Sequence, residues 1–379
     1  MKPIRYIDVD RHRFDLVRPI VLLALTCLFT KTGFCQDNPP ESATNQPNQD
    51  AAKILVQRTI ERLALADAFD AKLRQRIWVG GREVVGIGRY EQSGEGSGRL
   101  SLEMTIHDGD SRHELRQISD GKLAWFRCQV GNDVTLRRID IGRVKEVHHQ
   151  LTQAREALSA RVNAFPVKSD EQITVPTWLR IGGLIELIDQ IANDFDLRIT
   201  RGKVDQMPVW ILRGQLRDSA KKEIDTTSSG LPALCAQEVR VAIAASGDAN
   251  GFGVGLPIRI EFWGVPKTPE PDGQPTLEEV SAGKASDSGS LPSPKPSTPN
   301  RSETALTGAA TPTRQAPDRP AGRLISLLEI YSIRKIRPSP EQRFRFEREE
   351  RDITFSNDTN LYVERAQRSL GQIDQDANR

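Results

Sequence analysis

Arg99-Leu-Ser-Leu-Glu-Met-Thr-Ile-His-Asp-Gly-Asp-Ser-Arg-His-Glu-Leu-Arg-Gln-Ile-Ser-Asp-Gly-Lys-Leu-Ala-Trp125 is the stretch that decides the fold. From Arg99 to Ile106 the apolar residues Leu100, Leu102, Met104 and Ile106 alternate with Ser101, Glu103 and Thr105, which is the period of a strand with one buried and one wet face. Asp108-Gly109 and Asp120-Gly121 are dipeptides that accept the backbone angles of tight hairpin turns. Strands joined by such short turns run antiparallel. The same grammar extends outward. Upstream, Phe69 to Val79 alternates Ala71, Leu73, Ile77 and Val79 with Lys72, Arg74 and Arg76, and a strand over Arg82 to Tyr90 follows Gly80-Gly81. Downstream, Leu123 to Val130 turns through Gly131-Asn132-Asp133 into Val134 to Ile141.

Helices interrupt this meander where the apolar period changes to that of a helix. The first is signalled by Asn48 or Asp50 as cap and by Val56, Ile60, Leu63 and Ala64. The second runs over Arg143 to Arg161, with Val144, Val147, Leu151 and Leu158 on one stripe. The third runs from Gly183 to Phe195 after Gly182-Gly183, apolar at Leu184, Leu187, Ile188, Ile191 and Phe195. Strands resume at Leu197 to Val204, Pro208 to Gly214, Glu238 to Ala244, Leu256 to Trp263 and Leu324 to Ile336, and a tail helix is expected near Leu361 to Leu370. About eleven strands and three main helices make an α+β fold, most economically one strongly curved antiparallel sheet with helices packed into or across it.

Between two of those strands, residues 265–322 are dominated by Pro, Ser, Thr, Gly, Ala and charge. They hold too few branched or aromatic side chains to offset the entropy of ordering, and are expected to form a disordered insertion in the connection between two strands of one sheet. Such a segment is also where a protein partner would dock. At the N-terminus, Lys2, Arg5, Arg11, Arg13 and Arg18 precede the apolar run from Pro19 to Thr30 and then Gly33-Phe34-Cys35. This is the pattern of a secretory signal peptide over residues 1–35, too short in its apolar part to span a hydrocarbon core, and it predicts export to the periplasm or cell envelope; a retained signal anchor is the alternative. Residues 36–48 are a flexible spacer, residues 49–264 and 323–370 the folded body, and residues 371–379 a tail.

The intact chain has a formal net charge of +2, but the leader is basic and the chain after it is close to neutral. With no basic stripe interleaved with aromatics, nucleic acid is excluded as a partner class. After Cys35 only Cys128 and Cys235 remain, an even pair that an oxidising compartment can join; two buried thiols are the alternative.

The phrase Ile118-Ser-Asp-Gly-Lys-Leu-Ala-Trp125, with Gly182-Gly183-Leu184 opening a helix and Pro208-Val209-Trp210 in a later strand, resembles the LolA-like lipoprotein-carrier family, and more closely its exported, uncharacterised relatives. The resemblance covers most of residues 50–264 and 323–365. It implies an incomplete β-barrel with helices packed on its concave side, a half-barrel whose concave face takes up acyl chains, hence lipid or lipoprotein as ligand; the long insertion departs from the carrier pattern. Large aromatics on curved strands face either core or ligand, so Trp78, Trp125, Phe126, Trp210, Phe262 and Trp263 are the candidate cavity residues. Trp78, Phe126 and Trp263 are favoured because they leave or break the alternation of their strands.

No catalytic or cofactor motif accompanies them. His148 and His149 are adjacent, so on a helix they point about 100° apart. His107 and His113 flank the Asp108-Gly109 turn, a spacing that places two imidazoles across a hairpin. Gly86-Ile-Gly88 and Gly94-Glu-Gly96-Ser-Gly98 lack the following helix that a phosphate cradle requires. Arg343 to Asp352 mixes charge with two Phe and is expected to be a solvated edge segment. The chain is expected to be non-catalytic and without cofactor or metal.

Overall fold

The computed structural model describes residues 46–79, 81–109, 111–162, 175–221, 236–247, 251–264, 322–347 and 354–377. The chain divides into two units, one made of residues 1–265 with 322–379 and the other of residues 266–321, and every described residue belongs to the first. The expected leader and nearly all of the expected insertion lie outside the described residues.

Twelve strands form one sheet: β1 (Phe69–Val79), β2 (Arg82–Gln92), β3 (Arg99–Asp108), β4 (Ser111–Asp120), β5 (Leu123–Val130), β6 (Asp133–Asp140), β7 (Phe195–Val204), β8 (Met207–Leu216), β9 (Glu238–Ala244), β10 (Pro257–Trp263), β11 (Leu324–Lys335) and β12 (Phe355–Asn357). Their spatial order is β12-β6-β5-β4-β3-β2-β1-β11-β10-β9-β8-β7. All neighbours pair antiparallel except β12, which lies parallel to β6. The sheet is curved and unclosed, as expected, with β12 and β7 at its two edges. β10 and β11 are neighbours, and the Gly264 N–H donates to the Arg323 carbonyl at 2.8 Å, so the chain leaves the sheet and re-enters it at one point.

Among the described residues four α-helices pack on the concave side: α1 (Gln46–Leu65), α2 (Ile141–Val162), α3 (Gly183–Asp194) and α4 (Thr359–Ala377). α1 begins ahead of the expected cap. Asn48 is inside the helix, and its Oδ1 accepts from the Ile199 N–H of edge strand β7 at 3.2 Å. α4 runs well past Leu370 instead of ending there.

Register assigns every strand residue to a face. Leu73, Gln75 and Ile77 of β1, Leu102, Met104 and Ile106 of β3, Val239 and Val241 of β9, Ile260 and Phe262 of β10, and Ser326 and Leu328 of β11 all point to the concave side. The apolar ones form the main core with α1 and α3. A smaller core joins Phe126, Ile139, Ile141 and Val144 to Tyr362 and Ala366 of α4.

The segment after β11 is not the solvated edge that its charges predicted. Phe344 is fully buried, Arg343 pairs with buried Glu91 at 2.8 Å, and the Phe346 ring stacks on Trp125 at 5.0 Å. The two Phe side chains bury apolar area on the convex face while the arginines stay wet at their tips.

Candidate functional site: the lumen beneath α3

The space between the concave face and α3 is the candidate site. Its walls are Leu73 and Gln75 from β1, Leu102 and Met104 from β3, Phe262 from β10, Ser326 and Leu328 from β11, and Gly183, Leu184 and Leu187 from α3. The cavity left between them is about 20 Å³, room for about one water molecule. One polar contact crosses this apolar lining: Gln75 Nε2 donates to Ser326 Oγ at 3.2 Å, with both side chains buried.

Helix α3 fills the rest. Residues from Gly183 to Ile191 are all buried, including Glu186, Asp189 and Gln190, because neighbours cover both the apolar stripe read from the sequence and the face opposite it. Buried polar groups need partners, and these are supplied locally and at long range. Gly182 and Gly183 have φ of +82° and +64°, a conformation that admits glycine with little cost, and a Cβ on Gly183 would lie 2.8 Å from Tyr90. The Gly183 N–H donates to Gln117 Oε1 at 2.9 Å and the Gly182 N–H to Glu186 Oε2 at 2.7 Å. Glu186 Oε1 accepts from the Tyr362 hydroxyl of α4 at 2.7 Å, with the Arg365 guanidinium at 3.6 Å. Arg180 pairs with Asp189 at 2.8 Å. Burial pushes the Glu186 carboxyl above its ordinary range, against the pull of Arg365 and the hydrogen bonds from Tyr362 and Gly182. Burial, then the Glu186 charge, pushes the Tyr362 hydroxyl up as well.

Of the six aromatic candidates, Phe262 lines the cavity. Trp210 shares the concave face through its pairing with Ile243 but stands at the rim, with the Arg201 guanidinium 4.7 Å from its ring. Phe126 does not leave its strand's buried alternation; it sits with Ala124 in the smaller core. Trp78, Trp125 and Trp263 lie on the convex face. Trp125 stacks on Phe346 and meets Phe355 edge to face, and Trp263 donates its indole N–H to Glu261 at 3.1 Å. Leaving the alternation therefore carries Trp78 and Trp263 away from the lumen. The polar residues of the lumen, Gln75, Ser326, Gln117 and Glu186, were not singled out in the sequence. Gln75 carries a signal, since it replaces an apolar residue in the buried register of β1.

Cys128 is half-buried on β5, and burial raises its thiol pKa; Cys235 lies outside the described residues. His107 is exposed and His113 buried, on opposite faces of the β3–β4 hairpin. They cannot face each other, because they sit on adjacent rungs rather than the same one. The His113 Nδ1 instead accepts from the Gly131 N–H at 3.3 Å. Among the described residues no three His, Cys, Asp or Glu side chains gather to hold a metal ion, and no helix is long and apolar enough to cross a membrane.

No family model matches the chain, and no curated protein does. Among solved structures it is similar to MucB, at 10% identity over 79% of this chain and 63% of MucB, with a TM-score of 0.30. It is also similar to the MucA/MucB complex of Pseudomonas aeruginosa, at 10% identity over 79% and 61% of the two chains, with a TM-score of 0.29. The chain thus spans less than two thirds of the length of the MucB chains it matches. A third similar structure is a LolA superfamily protein from Nitrosomonas europaea, at 12% identity over 78% of this chain and 97% of that one, with a TM-score of 0.24.

Proposed function

We propose that this protein is an exported, non-catalytic binder of an apolar ligand, a lipid or lipoprotein acyl chain, which enters the concave face as α3 moves outward. The observation that carries the reading is the pairing of two apolar walls, Leu73, Leu102, Met104, Phe262 and Leu328 on the sheet against Leu184 and Leu187 on α3, with a small unfilled space between them. A cavity of about 20 Å³ is too small for an acyl chain, so uptake requires the helix to shift. The Gly182-Gly183 pair at its start offers backbone freedom for that motion. Apolar walls with few polar groups are the usual composition of a ligand pocket. The test is organic extraction of the protein purified from its native source, followed by mass spectrometry. A stoichiometric lipid is expected, and a lipid-free extract combined with no uptake of a fluorescent acyl ester overturns the reading.

A second reading, an envelope structural or protein-interaction module without a small ligand, is favoured by how completely α3 fills the lumen. In that case the partner is met through residues 265–322. Deleting those residues leaves lipid uptake intact on the first reading and abolishes partner capture on the second.

A further inference from the structure

Resting on the apolar-ligand reading, we infer that the ligand is a neutral amphiphile, a long-chain ester or alcohol, whose single polar group is received by Gln75 and Ser326. These side chains are 3% and 2% exposed, and both line the cavity. They sit on adjacent strands, where Ile77 is opposite Ser326 and Gln75 opposite Leu328. A glutamine amide carries two N–H donors and one acceptor oxygen, and a serine hydroxyl both donates and accepts. Their mutual bond uses one amide N–H and one acceptor site on the hydroxyl. The second N–H, the amide oxygen and the serine O–H stay available to whatever occupies the space between them and α3. On the β2 side Gln75 is opposite Gly86, over which the apolar Ile106 side chain reaches, so no polar group of β2 or β3 competes for the amide there.

The surroundings set the class of ligand. None of the lining side chains is charged. Glu186, the buried carboxylate on the same helix, is already engaged by Tyr362, Arg365 and the Gly182 amide. A carboxylate or phosphate head would therefore be stripped of water with no countercharge to meet it. A plain hydrocarbon would leave the second amide N–H, the amide oxygen and the serine O–H facing it unpaired, and a site built around polar groups rejects an analogue that lacks the matching one. An ester or alcohol satisfies both conditions, with its chain lying along Leu73, Leu102, Met104, Phe262 and Leu328.

The experiment uses the full chain and three ten-carbon probes, methyl decanoate, decane and decanoate, each displacing the neutral dye N-phenyl-1-naphthylamine. Wild type is compared with the Gln75→Leu/Ser326→Ala double variant. The ester-to-alkane affinity ratio is expected to fall about 10-fold in the double variant, the value of a lost hydrogen bond of ordinary strength, with decane binding the double variant more tightly than wild type, where unpaired polar atoms face it, and decanoate binding both most weakly. An unchanged ratio, or decanoate as the best competitor in wild type, overturns this assignment and leaves the apolar-ligand reading standing. No displacement by any probe overturns both. If the double variant fails to fold by its urea transition, Ser326→Ala alone carries the same expectation at about threefold.

Discussion

The two faces of the sheet solve opposite problems with the same strands. On the concave face, Leu73, Leu102, Met104 and Leu328 meet helices, and the carboxylate Glu186 is deeply buried and held by groups far away in sequence. On the convex face of the same strands, Arg74 and Glu329 pair at 2.6 Å across β1 and β11, Arg116 and Glu103 at 3.2 Å across β4 and β3, and Ile87 stands 62% exposed. The concave side is costly to disturb because Glu186, Gln117 and Asp189 in it depend on specific partners. Away from buried Asp70 and Glu91, the convex side carries solvent-screened pairs, each worth little. Residues that affect function should thus concentrate on one face, even though the sequence alternates evenly between the two.

Perturbations of unequal size can break that contrast. Ile188→Ala, which opens a void beneath α3 at a fully buried position, is expected to cost ~2–5 kcal/mol in urea unfolding. Tyr362→Phe removes the hydroxyl that donates to Glu186. It is expected to cost ~1–3 kcal/mol, and hydrogen exchange should show lost protection over residues 183–191; unchanged protection there would refute the link between α4 and α3. The third perturbation is pH. Because burial raises the Glu186 pKa, the folded chain holds that proton more tightly than the unfolded one. Its contribution is largest below the ordinary carboxylate range and is lost as pH rises through the folded value. Glu329 has the opposite sign: the hydrogen bond from Arg74 lowers its pKa, so its contribution is present above the ordinary range and lost as pH falls. Stability profiles of Glu186→Gln and Glu329→Gln should therefore flatten in opposite directions. Ile87→Ala, on the convex face, should change stability by no more than ~0.5 kcal/mol.

The β1–β6 meander was legible because period-two alternation and Asp-Gly turns are local signals, and the structure places strands at nearly the expected residues. β7 and β8 were legible as strands, although their turn, Asp205-Gln206, has positive φ at both residues without a glycine. β12 was not legible: three residues form it, and its partner β6 lies more than two hundred residues away in sequence. The site was half legible. The apolar stripe of α3 marked a helix to be packed against the sheet, but nothing local announces that Glu186 is buried too, since its partner Tyr362 is 176 positions distant. The tryptophans misled because a bulky aromatic off the buried register still buries area on the convex side, where Phe346 and Phe355 cover Trp125.

The hydrogen bond between Gly264 and Arg323 makes the two ends of residues 265–322 neighbours before the connection between them is considered. Loop closure there adds a cost that grows only slowly with length, so the body should be indifferent to how many residues are spliced in or removed. The same junction makes the chain divisible. Cut within that connection, residues up to 264 and from 322 onward should reassemble through the β10–β11 and β1–β11 ladders, a split scaffold whose two halves report on each other's presence.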